Sequence, residues 1–184
     1  MTGTLTWVFA VLFVLVVIAW YLTYTAARLD RLHVRLVGTV AALDAQLVRR
    51  AEASIELANS GLVDGATALI LAGAAAQSLE APDEDGVIRE AIESDLTEAL
   101  ALAFSPELVE HLREAAGPLG QDYLDGLSSA CLRVQLARRF HNDAVTDVRR
   151  VRRQLAVRVF HLAGHTPMPV TVEFDDAVPP GLDQ

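Results

Sequence analysis

Lysine is absent from this chain: all 15 basic residues are arginine, set against 24 acidic residues for a formal net charge of −9. The acidic balance argues against general nucleic-acid binding, so no nucleic-acid partner is expected. Cysteine is nearly absent too. A lone Cys131 excludes an intramolecular disulfide framework and fits a reducing compartment. It lies on a helical stripe of small and apolar residues, which favours packing over a reactive thiol. Aromatics make up only 6% of the chain although 52% of it is hydrophobic, so aliphatic residues and alanine dominate. That mixture suits long helices better than a β-sandwich and leaves ample apolar surface for a core. Also missing are GxxxxGK, GxGxxG, HExxH and any cysteine cluster, so no cofactor and no metal are expected. Ser128 and Ser129 have no nucleophile context. His161 and His165 are four apart, but Gly164 interrupts the helix between them, and they read as surface or tail histidines. No catalytic residue is assigned, and a non-enzymatic role is the expectation.

Charge is missing altogether from "LTWVFAVLFVLVVIAWYLTY", Leu5 to Tyr24. As a helix, its roughly 20 residues span about 30 Å, the thickness of a bilayer's hydrocarbon core. Trp7 stands near one end, and Trp20, Tyr21 and Tyr24 near the other, where amphipathic rings settle at interfaces. A cleaved signal peptide would carry a basic n-region, a shorter apolar run and a better cleavage site than "TAA" at Thr25 to Ala27. An uncleaved single-pass anchor is the favoured reading. Arg28, Arg31 and Arg35 follow the run directly, and the positive-inside rule places the N-terminus outside and the remainder in the cytoplasm.

Beyond the apolar run, Leu29, Leu32, Leu36, Val40, Leu43, Leu47, Ala51, Ile55 and Ala58 recur at helical spacing, so one helix should continue to about Ser60. "NSG" at Asn59 to Gly61 ends it. An alanine-rich helix over about Leu62 to Leu79 follows, then a surface loop "EAPDEDG" at Glu80 to Gly86. A third helix should bury Val87, Ile88, Ala91, Ile92, Leu96, Ala99, Leu100 and Ala103, leaving acidic residues such as Glu90 and Glu93 on an exposed face. Ser105 and Pro106 cap a short helix to about Ala116, which "GPLG" ends. The last helix should run unbroken from about Gln121 to Ala163. Leu127, Val134, His141, Val148, Leu155 and Leu162 form a heptad seam, interleaved with Ala130, Ala137, Ala144 and Val151. The fold class is therefore all-α: a single transmembrane helix continuing into an elongated antiparallel helical bundle. The expected parts are an outer N-terminus and anchor over residues 1–27, a bundle over 28–164 and an extended tail over 165–184.

Charges are segregated. Glu80 to Glu114 is rich in carboxylates and is a candidate docking face for a protein partner, while Arg133 to Arg158 is rich in arginine. With the first and last helices antiparallel, Arg149, Arg150, Arg152, Arg153 and Arg158 should return beside Arg28, Arg31 and Arg35, as a patch for the anionic surface of the lipid bilayer.

Two segments resemble the bacterial LemA family. "VAALDAQLVRRAEASIELA", Val40 to Ala58, is similar to the family's segment after its anchor, with Ala41, Leu43, Asp44, Gln46, Leu47, Arg49 and Arg50 matching. "ARRFHNDAV", Ala137 to Val145, resembles its late motif through Ala137, Arg138, Asn142, Ala144 and Val145, and "LAGHTPMPVTVEF" looks like its closing segment. His141 stands where the family usually has an aromatic or a tyrosine beside the asparagine, and "RRVRR" at Arg149 to Arg153 replaces its downstream Tyr-Asn and Phe-Pro positions. The resemblance implies a membrane-anchored helical bundle acting as a scaffold or homo-oligomeric platform, or alternatively as an adaptor in signalling or protease recruitment. Across an antiparallel pair of helices, Asp44, Gln46 and Arg50 are expected to meet Arg138, His141 and Asn142 and to set helix register. An assembly contact or a ligand site stand as the other readings of those six residues.

Overall fold

A computed structural model describes residues 2–82, 86–115, 117–164 and 166–182. The chain is all-α. Among the described residues there are six helices and no strand: α1 (Thr2–Asn59), α2 (Gly65–Glu80), α3 (Gly86–Ala103), α4 (Pro106–Ala115), α5 (Gly117–Arg152) and α6 (Leu155–Val159). Asp83 to Asp85 of the acidic loop, Ala116 at the α4 boundary, and His165 lie outside the described residues.

The chain divides into two compact units, to both of which α1 and α5 contribute. The first contains the chain up to Gly38 together with Asp143–Val170. Its N-terminal apolar stretch is exposed on every face from Gly3 to Trp20, and it is long and apolar enough to cross a membrane. A soluble core helix of that composition would bury one face; this one buries none. Further along, Leu29 packs with Val151 and Val157, and Leu162 and Ala163 close over them.

The second unit is Thr39–Asn142 with the chain from Thr171 onward. Its core draws Ala51 and Leu57 from α1, Leu71 and Ala75 from α2, Leu96 and Leu100 from α3, Val109 and Leu112 from α4, and Leu124 and Leu127 from α5. Local signals position these elements. Gly61, at φ 77°, ends α1 in the left-handed conformation that suits glycine. Asp64 caps α2, its Oδ1 accepting from the amides of Ala66 and Thr67. The cap therefore starts α2 at Gly65, not at Leu62. The Ser105 Oγ accepts from the Leu108 amide and caps α4, as its sequence suggests.

Two expectations are corrected here. "GPLG" belongs to α5, because Gly117 takes a left-handed turn (φ 62°) and Pro118 then occupies an early helical position where its missing N–H is no loss. The last helix also does not run to Ala163. It breaks at Arg153 and Gln154, and the heptad seam breaks with it: Val148 and Val151 are buried but Leu155 is 75% exposed. With Leu29 beside Val151, a straight helix would bring Arg158 level with Leu22 inside the apolar run. The break instead folds Val157 back onto Leu29 and Val151. His161 takes a positive φ of 52° in the turn that follows.

Candidate functional site

The segment "LDAQLVRR" sends the side chains of Asp44 and Arg50 onto α3. Arg50 Nη2 donates to Glu93 Oε2 at 2.7 Å and to the Glu93 carbonyl at 3.1 Å, while Arg50 Nη1 donates to Thr97 Oγ1 at 2.9 Å. Both side chains of this ion pair are out of solvent, Arg50 at 1% exposure and Glu93 at 0%. The second carboxylate oxygen accepts from Ser78 Oγ at 2.8 Å and from Arg89 Nε at 3.2 Å. Arg89 Nη2 in turn reaches Asp44 Oδ1 at 3.0 Å. Asp44, Arg89, Glu93 and Arg50 thus form a charge-balanced chain that ties α1 to α3, with Ser78 adding α2. A carboxylate held by two guanidinium groups and a hydroxyl has no free lobe aimed at solvent. The arrangement is suited to fixing helix positions rather than to moving protons.

Gln46 lies beside this network, half-buried; its Oε1 and the Nε of Arg50 are buried without a hydrogen-bond partner among the described residues. Cys131 is packed in the same unit. Burial pushes its thiol up to about 11, against the opposing pull of the Arg50 charge, so it is a poor nucleophile at neutral pH.

The late motif faces a different partner, the C-terminal segment. Arg138 Nε and Nη2 grip Asp176 Oδ2 and Oδ1 at 2.7 and 2.9 Å, and the guanidinium carbon stands 5.6 Å from the Phe174 ring centroid. The Asp176 hydrogen bonds hold the Arg138 guanidinium above its usual range. Asn142 pairs reciprocally with Val172: its Nδ2 donates to the carbonyl at 3.0 Å and its Oδ1 accepts from the amide at 2.9 Å. Gln135 Nε2 donates to the Asp176 carbonyl at 2.7 Å. From the other side, α3 supplies Glu90 Oε1 to the Glu173 amide, Ser94 Oγ to the Asp175 amide and the Thr97 hydroxyl to the Asp175 carbonyl, at 2.9, 3.1 and 2.6 Å.

Residues 172–176 are therefore an extended strap in which backbone groups of Val172, Glu173, Asp175 and Asp176 bond to side chains of α3 and α5 instead of to a neighbouring strand. Phe174 beds the strap against Leu43, Leu47, Val134 and Ala137. Farther on, Leu182 is buried and its carbonyl accepts from Ser128 Oγ at 2.9 Å.

These contacts correct the expected pairing of the six motif residues. Asp44 and Arg50 meet α3, whereas Arg138 and Asn142 meet the strap. Only His141 faces α1, with Nδ1 3.5 Å from Thr39 Oγ1. The reason is geometric. Leu43 and Leu47 take the contact with Val134 and Ala137 of α5, and the side chains of Asp44 and Arg50, on either side of that stripe, reach Arg89, Glu93 and Thr97 of α3. Glu93 is likewise not on an exposed acidic face: it shares the buried stripe of α3 with Leu96, Thr97 and Leu100, and Val87 and Ile88 are the exposed residues. A carboxylate three and seven residues before buried leucines was the available signal for a buried cation elsewhere.

In the first unit, Arg35 and Arg150 share Asp147 at 3.6 and 3.8 Å. Arg149 donates to the Pro169 carbonyl, and Arg152 donates to those of Pro167 and Thr166, at 2.8, 2.7 and 2.6 Å. Backbone carbonyls thus engage one donor of Arg149 and two of Arg152, part of each guanidinium's five. Arg28, Arg31, Arg153 and Arg158 are exposed.

Comparison with protein-family models, curated proteins and solved structures finds no match to this chain.

Proposed function

We propose that this protein is a membrane-anchored, non-enzymatic helical scaffold of LemA type, held by α1 in the cell membrane with its N-terminus outside and its helical units in the cytoplasm. The observation that carries this reading is the bare apolar stretch of α1, exposed on every face from Gly3 to Trp20, on the same helix whose far end is packed into a closed bundle. A lipid environment is the one that stabilises such a surface. The motif polar groups support a structural role, since they neutralise one another inside the bundle. Homo-oligomerisation would make the scaffold a platform.

An adaptor role is the second reading, favoured by Asp95, Glu98, Glu107, Glu110 and Glu114, which remain exposed on α3 and α4. The mass of the detergent-extracted full chain separates the two. A large homo-oligomer is expected for the platform, whereas a monomer that copurifies a partner through the acidic face would favour the adaptor. Extraction of the chain from membranes by carbonate, without detergent, would overturn both.

A further inference from the structure

α6 and the turn after it bury only part of their apolar surface. Val157 packs onto Leu29 and Val151, but Leu155, Val159 and Phe160 are 75%, 59% and 52% exposed. Leu155 and Val159 are four apart and share one helix face. Arg153 and Arg158 flank them, exposed and without a partner among the described residues. An apolar face rimmed by arginines is the composition of a segment lying in a membrane interface. Its place within the first unit fits. Leu162, Ala163 and Thr166 line one cavity with Ala26, Leu29, Asp30 and His33, which follow directly on the Trp20, Tyr21 and Tyr24 end of the apolar stretch.

We propose that residues 153–160 form a second membrane contact, with Leu155, Val159 and Phe160 inserted at the headgroup–acyl boundary and Arg153 and Arg158 on anionic headgroups. The proposal rests on the reading of α1 as the anchor and adds a contact separate from it. It also explains why the seam is abandoned at Leu155. Past the break, the apolar side chains have lipid rather than α1 to cover them, and the arginines stay at the level where anionic lipid attracts them.

The test uses the full chain reconstituted in vesicles of neutral lipid and of neutral lipid mixed with phosphatidylglycerol. Single environment-sensitive labels are placed through Val159→Cys, Phe13→Cys and Leu69→Cys, with the buried Cys131 left in place and the unsubstituted chain as the labelling control. Lipid-borne quenchers at graded depths and aqueous iodide then report each position. The Val159 label is expected to be quenched best about 5–10 Å below the headgroups, the Phe13 label deeper, and the Leu69 label only by iodide. A Val159 label that behaves like Leu69 while Phe13 remains deep overturns this proposal alone. A Phe13 label quenched by iodide overturns the anchor reading itself. A Val159 label shielded from both quenchers means that protein, such as a second copy, covers the face, and also overturns the proposal. Arg153→Gln with Arg158→Gln is expected to lower Val159 quenching in anionic vesicles and not in neutral ones. Equal quenching in both would overturn the part assigned to the arginines.

Discussion

Arg50 and Glu93 pair at 2.7 Å with neither side chain reached by solvent. Breaking such a pair leaves one charge buried and uncompensated. Glu93→Ala or Arg50→Ala should therefore destabilise the fold by about 3–5 kcal/mol. Replacing both, with Arg50→Met and Glu93→Leu, should recover most of that loss, because the desolvation cost disappears with the charges. Urea unfolding of the detergent-solubilised chain, followed by helical circular dichroism, measures each variant. A double variant no better than the singles would show that the pair matters for more than charge balance.

Arg138 and Asp176 tie the strap to α5, half out of solvent. Their double-mutant cycle should give a coupling of about 1 kcal/mol, as for a well-aligned, partly exposed pair. Asp44 and Arg138 have separate partners, so their effects should add within about 0.5 kcal/mol. Strong coupling between Asp44 and Arg138 would mean that the two motifs meet after all.

Gly181 is the tightest point of the C-terminal segment. A Cβ there would stand 2.5 Å from Val109 Cγ2 and 2.9 Å from the Ser105 carbonyl. Gly181→Ala should cost about 1–3 kcal/mol through overpacking. It should also raise amide exchange at Leu182, whose N–H bonds to the Pro179 carbonyl at 2.8 Å. Unchanged exchange at Leu182 would show that the segment can shift without detaching.

Burial holds the Cys131 thiol at about 11 against an ordinary value of 9.0. Below pH 9 both folded and unfolded chains keep the proton, and this group adds no pH dependence. As pH rises from about 9 to about 11 the unfolded thiol ionises first, so stability should fall through that window. Iodoacetamide alkylation of the native chain at pH 8 should be far slower than that of the urea-unfolded chain. Equal rates would mean that the thiol is open to solvent.

The pattern of the tail shows how local signals can be read and yet be incomplete. "VTVEF" alternates apolar and polar residues, which marks an extended, half-buried segment. Nothing in that alternation indicates that a strand can be completed by Asn142, Gln135, Ser94 and Thr97 from two helices, because those residues lie thirty to eighty positions away.

By itself the sequence determined what depends on neighbours along the chain. The uncharged apolar run, the helical spacing of Leu29 to Ala58, the Ser105 cap and the seam from Leu127 to Val151 all follow from periodicity and local hydrogen bonding. Only the tertiary structure decided which surfaces those helices share. It put Glu93 inside, gave Asp44 to Arg89 and Arg138 to Asp176, broke the last helix at Arg153 and laid the tail along α3 and α5. Periodicity specifies a buried face, but the identity of the helix that covers it depends on long-range packing. A buried charge takes whichever opposite charge that packing delivers.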